Sequence, residues 1–199
     1  MPATGLRRAA FLDRDGVINV DHGYVFRRDD FQFVPGALAA CAQLHRRGFA
    51  LVVVTNQSGI GRGLYGEDDY RRLTEWMSAE FTAAGAPLAG VYFCPHHPQA
   101  LLPQYRRACD CRKPAPGMML AAARELSLDL SRSALFGDKA SDIEAAAAAG
   151  VPQRVLLGTD GRELPPADLA PQATARFASL AEAADSALLR AALAEDAHA

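Results

Sequence analysis

Short, almost wholly apolar runs alternate along the chain with longer stretches in which apolar residues recur every three or four positions. AAFLD (9–13), ALVVVTN (50–56), GVYFCP (90–95), ALFGD (134–138) and RVLLG (154–158) have the continuous hydrophobicity of buried strands, each running out into polar residues. Between them, PGALAACAQLHRRG (35–48), EDDYRRLTEWMSAEFTAAG (67–85), APGMMLAAAREL (115–126) and SDIEAAAAAG (141–150) predict helices. Pro35 and Pro116 stand where helices begin, and Gly48, Gly85 and Gly150 where they end. The β-α-β-α succession predicts an α/β protein with a central parallel sheet covered on both faces, a three-layer, Rossmann-like arrangement. FASLAEAADSALLRAALAED (177–196) reads as a closing helix with a loose tail. Ligands of such sheets bind beyond the carboxyl ends of the strands, which directs attention to Asp13, Thr55, Cys94 and Asp138.

Bulk properties narrow this picture. With 199 residues, half of them apolar, the chain can bury one substantial core, so a single domain over 1–199 is expected. A formal net charge of −2 argues against nucleic-acid binding by bulk electrostatics. No apolar run reaches the length of a membrane span, and MPATGLRRAAFLDRD passes from two arginines straight into a short strand, too brief for a secretory signal. A reduced cytoplasmic compartment, with thiols free to hold metal, fits best. The 12 prolines and 16 glycines are spread among loops, and no internal repeat is visible.

Three of the four cysteines fall in CPHHPQALLPQYRRACDCRKP, and Cys41 stands alone in a helical segment. Cys94, His96, Cys109 and Cys111 form two close pairs, Cys-x-His and Cys-x-Cys, whose ligand types suit a closed, tetrahedral structural zinc site. The other reading is a disulfide between two of these thiols, although cysteines one residue apart rarely bridge each other.

The carboxylates lie elsewhere. Asp13 and Asp15, in DRDG after the first strand, can share a divalent cation of the magnesium type, or one can attack while the other moves protons; a solvated turn is the plainer alternative. GDKASD (137–142) repeats the logic: Asp138 ends a strand, and Asp142 follows one helical turn later, either converging on the same crevice or capping the helix. TNQSGIGRG (55–63) offers hydroxyl and amide donors among three glycines, able to cradle phosphate oxygens or to be an ordinary loop. Lys113 supplies the fixed positive charge that a phosphoryl group between aspartates needs, unless it is merely an exposed surface lysine.

In this order, DRDG at 13–16, TNQSG at 55–59, RKP at 112–114 and GDKASD at 137–142 resemble the four motifs of the haloacid dehalogenase superfamily of phosphotransferases. Aspartate at position 15 is similar to the phosphatase and phosphomutase branches, and neither usual insertion point has room for a large cap domain. The Cys/His loop, 94–111, is the main elaboration. Together with DRDGVINVDHGYV (13–25) it resembles the D-glycero-D-manno-heptose 1,7-bisphosphate 7-phosphatases across most of residues 10–158.

The resemblance implies Asp13 as a nucleophile that becomes an aspartyl-phosphate, and Asp15 as general acid and then base. It further implies catalytic Mg2+ held by Asp13, the Asp15 carbonyl and Asp138, with structural Zn2+ on the four Cys/His ligands. Thr55 and Lys113 would steady the phosphoryl group. Asp21, His22, Gly23, Tyr24, Asn56, Gln57, Ser58, Arg112 and Lys139 would contact a small sugar bisphosphate in ADP-heptose and lipopolysaccharide-core synthesis. A monomer with no nucleic-acid or membrane partner is expected. Related possibilities are a histidinol-phosphate phosphatase and the α-anomer enzyme of the GDP-heptose route; a non-catalytic zinc scaffold is the reading from a different class.

Overall fold

The computed structural model describes residues 6–164 and 166–186. Six parallel strands form its sheet: β1 (Arg7–Leu12), β2 (Ala50–Asn56), β3 (Leu88–Cys94), β4 (Leu128–Gly137), β5 (Gln153–Leu157) and β6 (Ala175–Phe177), in the spatial order β3-β2-β1-β4-β5-β6. The helices are α1 (Ala37–Arg46), α2 (Ser58–Gly61), α3 (Glu67–Ala83), α4 (Gly117–Leu126), α5 (Ala140–Ala148) and α6 (Leu180–Asp185). The predicted α/β class and parallel sheet are both present.

Alternation along the strands builds two cores. From β1, Ala10 and Leu12 face one layer and Ala9 and Phe11 the other; β2 divides Leu51 and Val53 from Val52 and Val54 in the same way. The first layer takes Ala40, Cys41 and Leu44 of α1, Leu73, Met77 and Phe81 of α3, and Leu180 of α6. In α3 the buried residues Tyr70, Leu73, Met77 and Phe81 recur at helical spacing, so one stripe meets the sheet while Glu67, Asp68 and Asp69 charge the first turn favourably. The second layer is built by Met118, Met119 and Ala122 of α4 with Ile143, Ala145 and Ala146 of α5. Among the described residues, no helix is long and apolar enough to cross a membrane.

Several boundaries differ from the sequence reading, each for a local reason. β4 begins at Leu128, six residues before the predicted apolar run, because Ser133 folds its hydroxyl inward to accept the Ala9 N–H at 2.8 Å. The strand register shifts there, between Arg8 and Ala10. β6 carries no apolar run and exists through its pairing with β5. Helix α1 starts at Ala37 rather than Pro35, since Gly36 before it adopts a left-handed φ of 80°. Ser58–Gly61, read as an irregular loop, forms a turn of helix. The predicted closing helix is present as α6 through Asp185; residues 187–196 of that prediction lie outside the described residues.

Between β1 and α1 the chain forms loops and a three-residue 3-10 turn at Arg28–Asp30, and between β3 and α4 it forms the Cys/His loop. The strand order reverses about β1, with β2 on one side and β4 on the other, and this switch point opens a crevice at the carboxyl ends. Phe11, fully buried and paired in register with Val52 and Leu135, sits under that crevice. Replacing Phe11 by Ala is expected to lower the unfolding free energy by about 3–5 kcal/mol. Urea unfolding would show an earlier midpoint at unchanged slope; a midpoint equal to that of the parent would contradict this packing.

Candidate active site

Four strand ends deliver the polar residues. Asp13 follows β1, Thr55 and Asn56 close β2, Cys94 closes β3 and Asp138 follows β4. Lys113 arrives from the loop before α4 and is 3% exposed. Its Nζ lies 2.8 Å from Asp13 Oδ1 and 2.6 Å from Asp142 Oδ1, and donates to the Val54 carbonyl at 2.8 Å. The ammonium is therefore fully spent on this site, which removes the surface-lysine alternative. Burial works against its charge, but Asp13 and Asp142 outweigh burial and hold the pKa above the usual lysine range.

Asp142 satisfies both readings offered for it. One oxygen pairs with Lys113, and the other accepts the Lys139 N–H at 3.0 Å, so that the third helical residue caps the N-terminus of α5. Carboxylate oxygens of Asp13, Asp138 and Asp142 all lie within 4.8 Å of one another. Asp142 is thus a member of the acidic cluster that the expected Mg2+ set of Asp13, the Asp15 carbonyl and Asp138 did not include. The Asp15 carboxylate turns away: it accepts from Arg14 at 2.8 and 3.2 Å, from Asn19 at 3.1 Å and from Gln57 at 3.0 Å. Burial raises its pKa, but Arg14, Asn19 and Gln57 together hold it below the ordinary value.

The acidic cluster has the chemistry of a divalent-cation site. Two of the three carboxylates pair with the Lys113 ammonium and the third, Asp138, feels the Lys139 charge; the buried Asp138 Oδ1 has no hydrogen-bond partner while Oδ2 accepts from Thr159 at 2.9 Å. An all-oxygen donor set suits Mg2+. Without a cation, burial, reinforced by Asp142 and Asp138 against Lys113, pushes Asp13 up to about 7, and burial pushes Asp138 up to about 6. Gly16 makes the cluster compact: it holds a φ of 93°, and a Cβ there would meet Asp138 Oδ2 at 2.3 Å.

A cleft of roughly 320 Å³ opens beside Asp15, lined by Asp21, Gly23, Tyr24, Asn56, Gln57, Ser58 and Lys139 among others. Most of the predicted substrate residues therefore share one wall, with three qualifications. Asn56 is engaged: its Oδ1 accepts the Lys113 N–H and its Nδ2 donates to the Lys113 carbonyl, both at 3.0 Å. Gln57 is also engaged, donating to Thr55 Oγ1 at 2.8 Å and accepting from Tyr65 at 2.6 Å. His22 lines an adjoining cleft with Gly23 and Tyr24, and the Arg112 guanidinium donates to the His96 carbonyl at 3.2 Å rather than lining the first cleft. Gly23 and Tyr24 both have left-handed φ values, 77° and 55°, which turn the segment at the cleft mouth.

Cys94, His96, Cys109 and Cys111 converge as the spacing predicts. Their sulfurs lie 3.0–3.5 Å apart, and His96 Nδ1 is 3.3 Å from Cys111 Sγ. These separations exceed a disulfide bond of about 2.05 Å, so the disulfide alternative does not describe this cluster. Burial and the Arg107 cation hold His96 below the usual histidine value, keeping the imidazole neutral and able to ligate. The loop is closed by the Gly117 N–H to the Asp110 carbonyl at 2.8 Å, an approach so close that a Cβ on Gly117 would stand 2.4 Å from that oxygen. Thr159 and Arg14 were not anticipated. Arg14 sits inside the DRDG motif, where its 1% exposure could not be read from the sequence.

The profile of the haloacid dehalogenase-like hydrolases matches residues 4–150. The chain belongs to that family. Among curated members, the chain is 53% identical over 151 residues to the D-glycero-β-D-manno-heptose-1,7-bisphosphate 7-phosphatase of Photorhabdus laumondii subsp. laumondii, covering 76% of this chain and 80% of the relative. It is 51% identical over 158 residues to the enzyme of the same name from Escherichia coli K12, covering 79% and 82%. The crystal structure of the D,D-heptose 1,7-bisphosphate phosphatase of B. bronchiseptica, complexed with magnesium and phosphate, superposes with a TM-score of 0.76 at 31% identity, over 92% of this chain and 99% of that one.

For this haloacid dehalogenase-like hydrolase, the buried carboxylates carry a pH signature. The folded-state values of Asp13 and Asp138 stand above their ordinary value of 3.8. Their protons stabilise the fold below about pH 4, and that contribution is lost as pH rises through about 6 and 7. A cation replaces those protons, so its stabilisation grows with pH. Thermal scans are expected to show a larger Mg2+-induced rise in Tm at pH 8 than at pH 5; equal shifts would contradict a cation held by these groups.

Proposed function

We propose that this chain is a Mg2+-dependent phosphatase that removes the 7-phosphate of D-glycero-β-D-manno-heptose 1,7-bisphosphate. The observation that carries the reading is the 53% identity over 151 residues to an enzyme of that name. The buried Asp13–Lys113–Asp142 arrangement beside a polar cleft supports it chemically. The names of the relatives favour the β-anomer, and with it the lipopolysaccharide-core route, over the α-anomer and histidinol-phosphate alternatives.

In this reading an Asp13 oxygen attacks phosphorus, the bond to the sugar oxygen breaks, and Asp15 gives that oxygen its proton. Water then attacks the aspartyl-phosphate, Asp15 takes the water's proton, and inorganic phosphate leaves with Asp13 restored. The free protein favours ionised Asp15, the form needed in the second half. The protonated form needed in the first half becomes accessible when the substrate's negative charge enters beside it, since a like charge raises a carboxylate's pKa. Thr55 and the Lys113 charge would steady the transferring phosphoryl group, the ammonium exchanging a carboxylate contact for a phosphoryl oxygen, and Mg2+ held by Asp13, the Asp15 carbonyl and Asp138 would supply charge neutralisation there. Asp21, Gly23, Tyr24, Ser58 and Lys139 would meet the sugar, and His22 and Arg112 the parts of it that extend beyond the first cleft.

The Cys/His cluster is assigned as a structural zinc site, because four protein ligands leave no coordination position open for chemistry. Cys109 and Cys111 would anchor the strand of chain that presents Lys113. A single domain over 1–199, acting as a cytoplasmic monomer, completes the reading.

Initial rates on the two anomers of the bisphosphate and on histidinol phosphate test the substrate. The β-anomer is expected to give the highest kcat/KM, and Asp13→Asn to abolish phosphate release with far-UV circular dichroism unchanged. Higher kcat/KM on histidinol phosphate would overturn the assignment. Metal analysis should find one zinc per chain, and its removal should lower kcat by on the order of 10²-fold without global unfolding, as expected for a displaced catalytic group. Full activity in a verified zinc-free sample would rule out the anchoring role.

A further inference from the structure

The turn after β5 touches three parts of the site at once. Thr159 donates to Asp138 Oδ2 at 2.9 Å. The Asp160 N–H donates to the Gly16 carbonyl at 2.8 Å, tying the turn to the loop that carries Asp13 and Asp15. The Asp160 carboxylate reaches the other way: Oδ1 accepts the Asp21 N–H at 2.8 Å. Asp21 is held in turn from its far side, where Oδ2 accepts from Lys139 at 3.2 Å, while Oδ1 accepts the Gly23 N–H at 3.0 Å. Asp160 thus bridges the Gly16 carbonyl of the nucleophile loop and the Asp21 N–H of the segment 21–24. Its backbone is specialised for the task, with a left-handed φ of 59° that Asp and Asn tolerate better than other side chains.

We infer that Asp160 is a positioning residue for substrate recognition, setting the Asp21–Tyr24 segment at the cleft mouth and thereby favouring a sugar bisphosphate over a small phosphomonoester. This rests on the function proposed above. Nothing in residues 159–161 faces the reacting atoms directly: Thr159 reaches them through Asp138, and Asp160 reaches the cleft through Asp21. A small phosphomonoester needs Asp13 and its neighbours but makes little use of residues 21–24. A heptose bisphosphate spans both, so loosening the segment should weaken it selectively.

Two variants isolate the side chain. Asp160→Gly removes the acceptor but keeps the N–H to Gly16 and holds the left-handed φ without strain. Asp160→Asn keeps an acceptor oxygen in the same place. With Mg2+ present, the ratio of kcat/KM on the heptose bisphosphate to kcat/KM on p-nitrophenyl phosphate is expected to fall about 10-fold in Asp160→Gly, mainly through KM, as for a lost hydrogen bond to a charged group. The ratio should return to within roughly twofold of the parent in Asp160→Asn. Equal losses on both substrates, or no loss on either, would overturn the inference.

Hydrogen exchange at the Asp21 amide provides a readout independent of the substrate. Faster exchange in Asp160→Gly, but not in Asp160→Asn, is expected, and unchanged protection in the glycine variant would overturn the positioning role. Failure of the parent protein to hydrolyse the bisphosphate would count against the proposed function alone, and the exchange measurement would then decide the present inference.

Discussion

A single buried ammonium organises the site. Lys113 Nζ lies between Asp13 and Asp142 and under the Val54 carbonyl, with almost no exposure to solvent. Three carboxylates, two at strand ends and Asp142 in the first turn of α5, repel one another, and burial denies them water as a compensating medium. The ammonium offsets part of that repulsion, and a cation at the unpartnered Asp138 oxygen would offset the rest. Removing one member of a buried charge set typically costs about 3–5 kcal/mol because the others are left uncompensated. The charges therefore have to be assembled together.

The sheet cannot supply this lysine by itself. Asp13, Thr55 and Asp138 come with strand ends, but Lys113 belongs to a loop that must be brought over the crevice. Two devices hold it there. Asn56, at the end of β2, grips the Lys113 backbone through both its N–H and its carbonyl. The Cys94–His96–Cys109–Cys111 cluster gathers the loop from the end of β3 to the residue two before Lys113. Asn56 explains why an amide was required at that point in TNQSG: only a side chain with both a donor and an acceptor can satisfy a peptide group in this reciprocal way.

Elements whose signal is local were legible in the sequence. The buried strands announced themselves as continuous apolar runs, the helices as a periodicity ended by glycine, and the Cys/His cluster as ligand types at close spacing. The strand-end positions of Asp13, Thr55 and Asp138 followed from those runs. Other features were illegible because their cause lies in another part of the chain. β6 has no apolar signature and exists because β5 offers an edge. The early start of β4 depends on Ser133 meeting Ala9, a residue 124 positions away. Arg14 looked like an ordinary charged neighbour of two aspartates, yet it is buried against Tyr70 and directs Asp15 away from the acidic cluster.

Asp142 and Asp15 mark the boundary between the two kinds of knowledge. Residue type and spacing by themselves determined that this chain carries paired aspartates after β1 and β4, a lysine beside a thiol cluster, and a parallel sheet to present them. Helical periodicity placed Asp142 on the same face as Asp138, but whether it would cap a helix or join a charge cluster is a matter of distances across the fold. Tertiary structure let it do both, one oxygen on the Lys139 N–H and one on Lys113. The same structure holds the Asp15 carboxylate apart from the cluster, because Arg14, Asn19 and Gln57 donate hydrogen bonds to it, whereas an ionised Asp13 carboxylate only repels it. Electrostatic partners are chosen by proximity in space, and proximity between residues a hundred positions apart is not written in any local pattern.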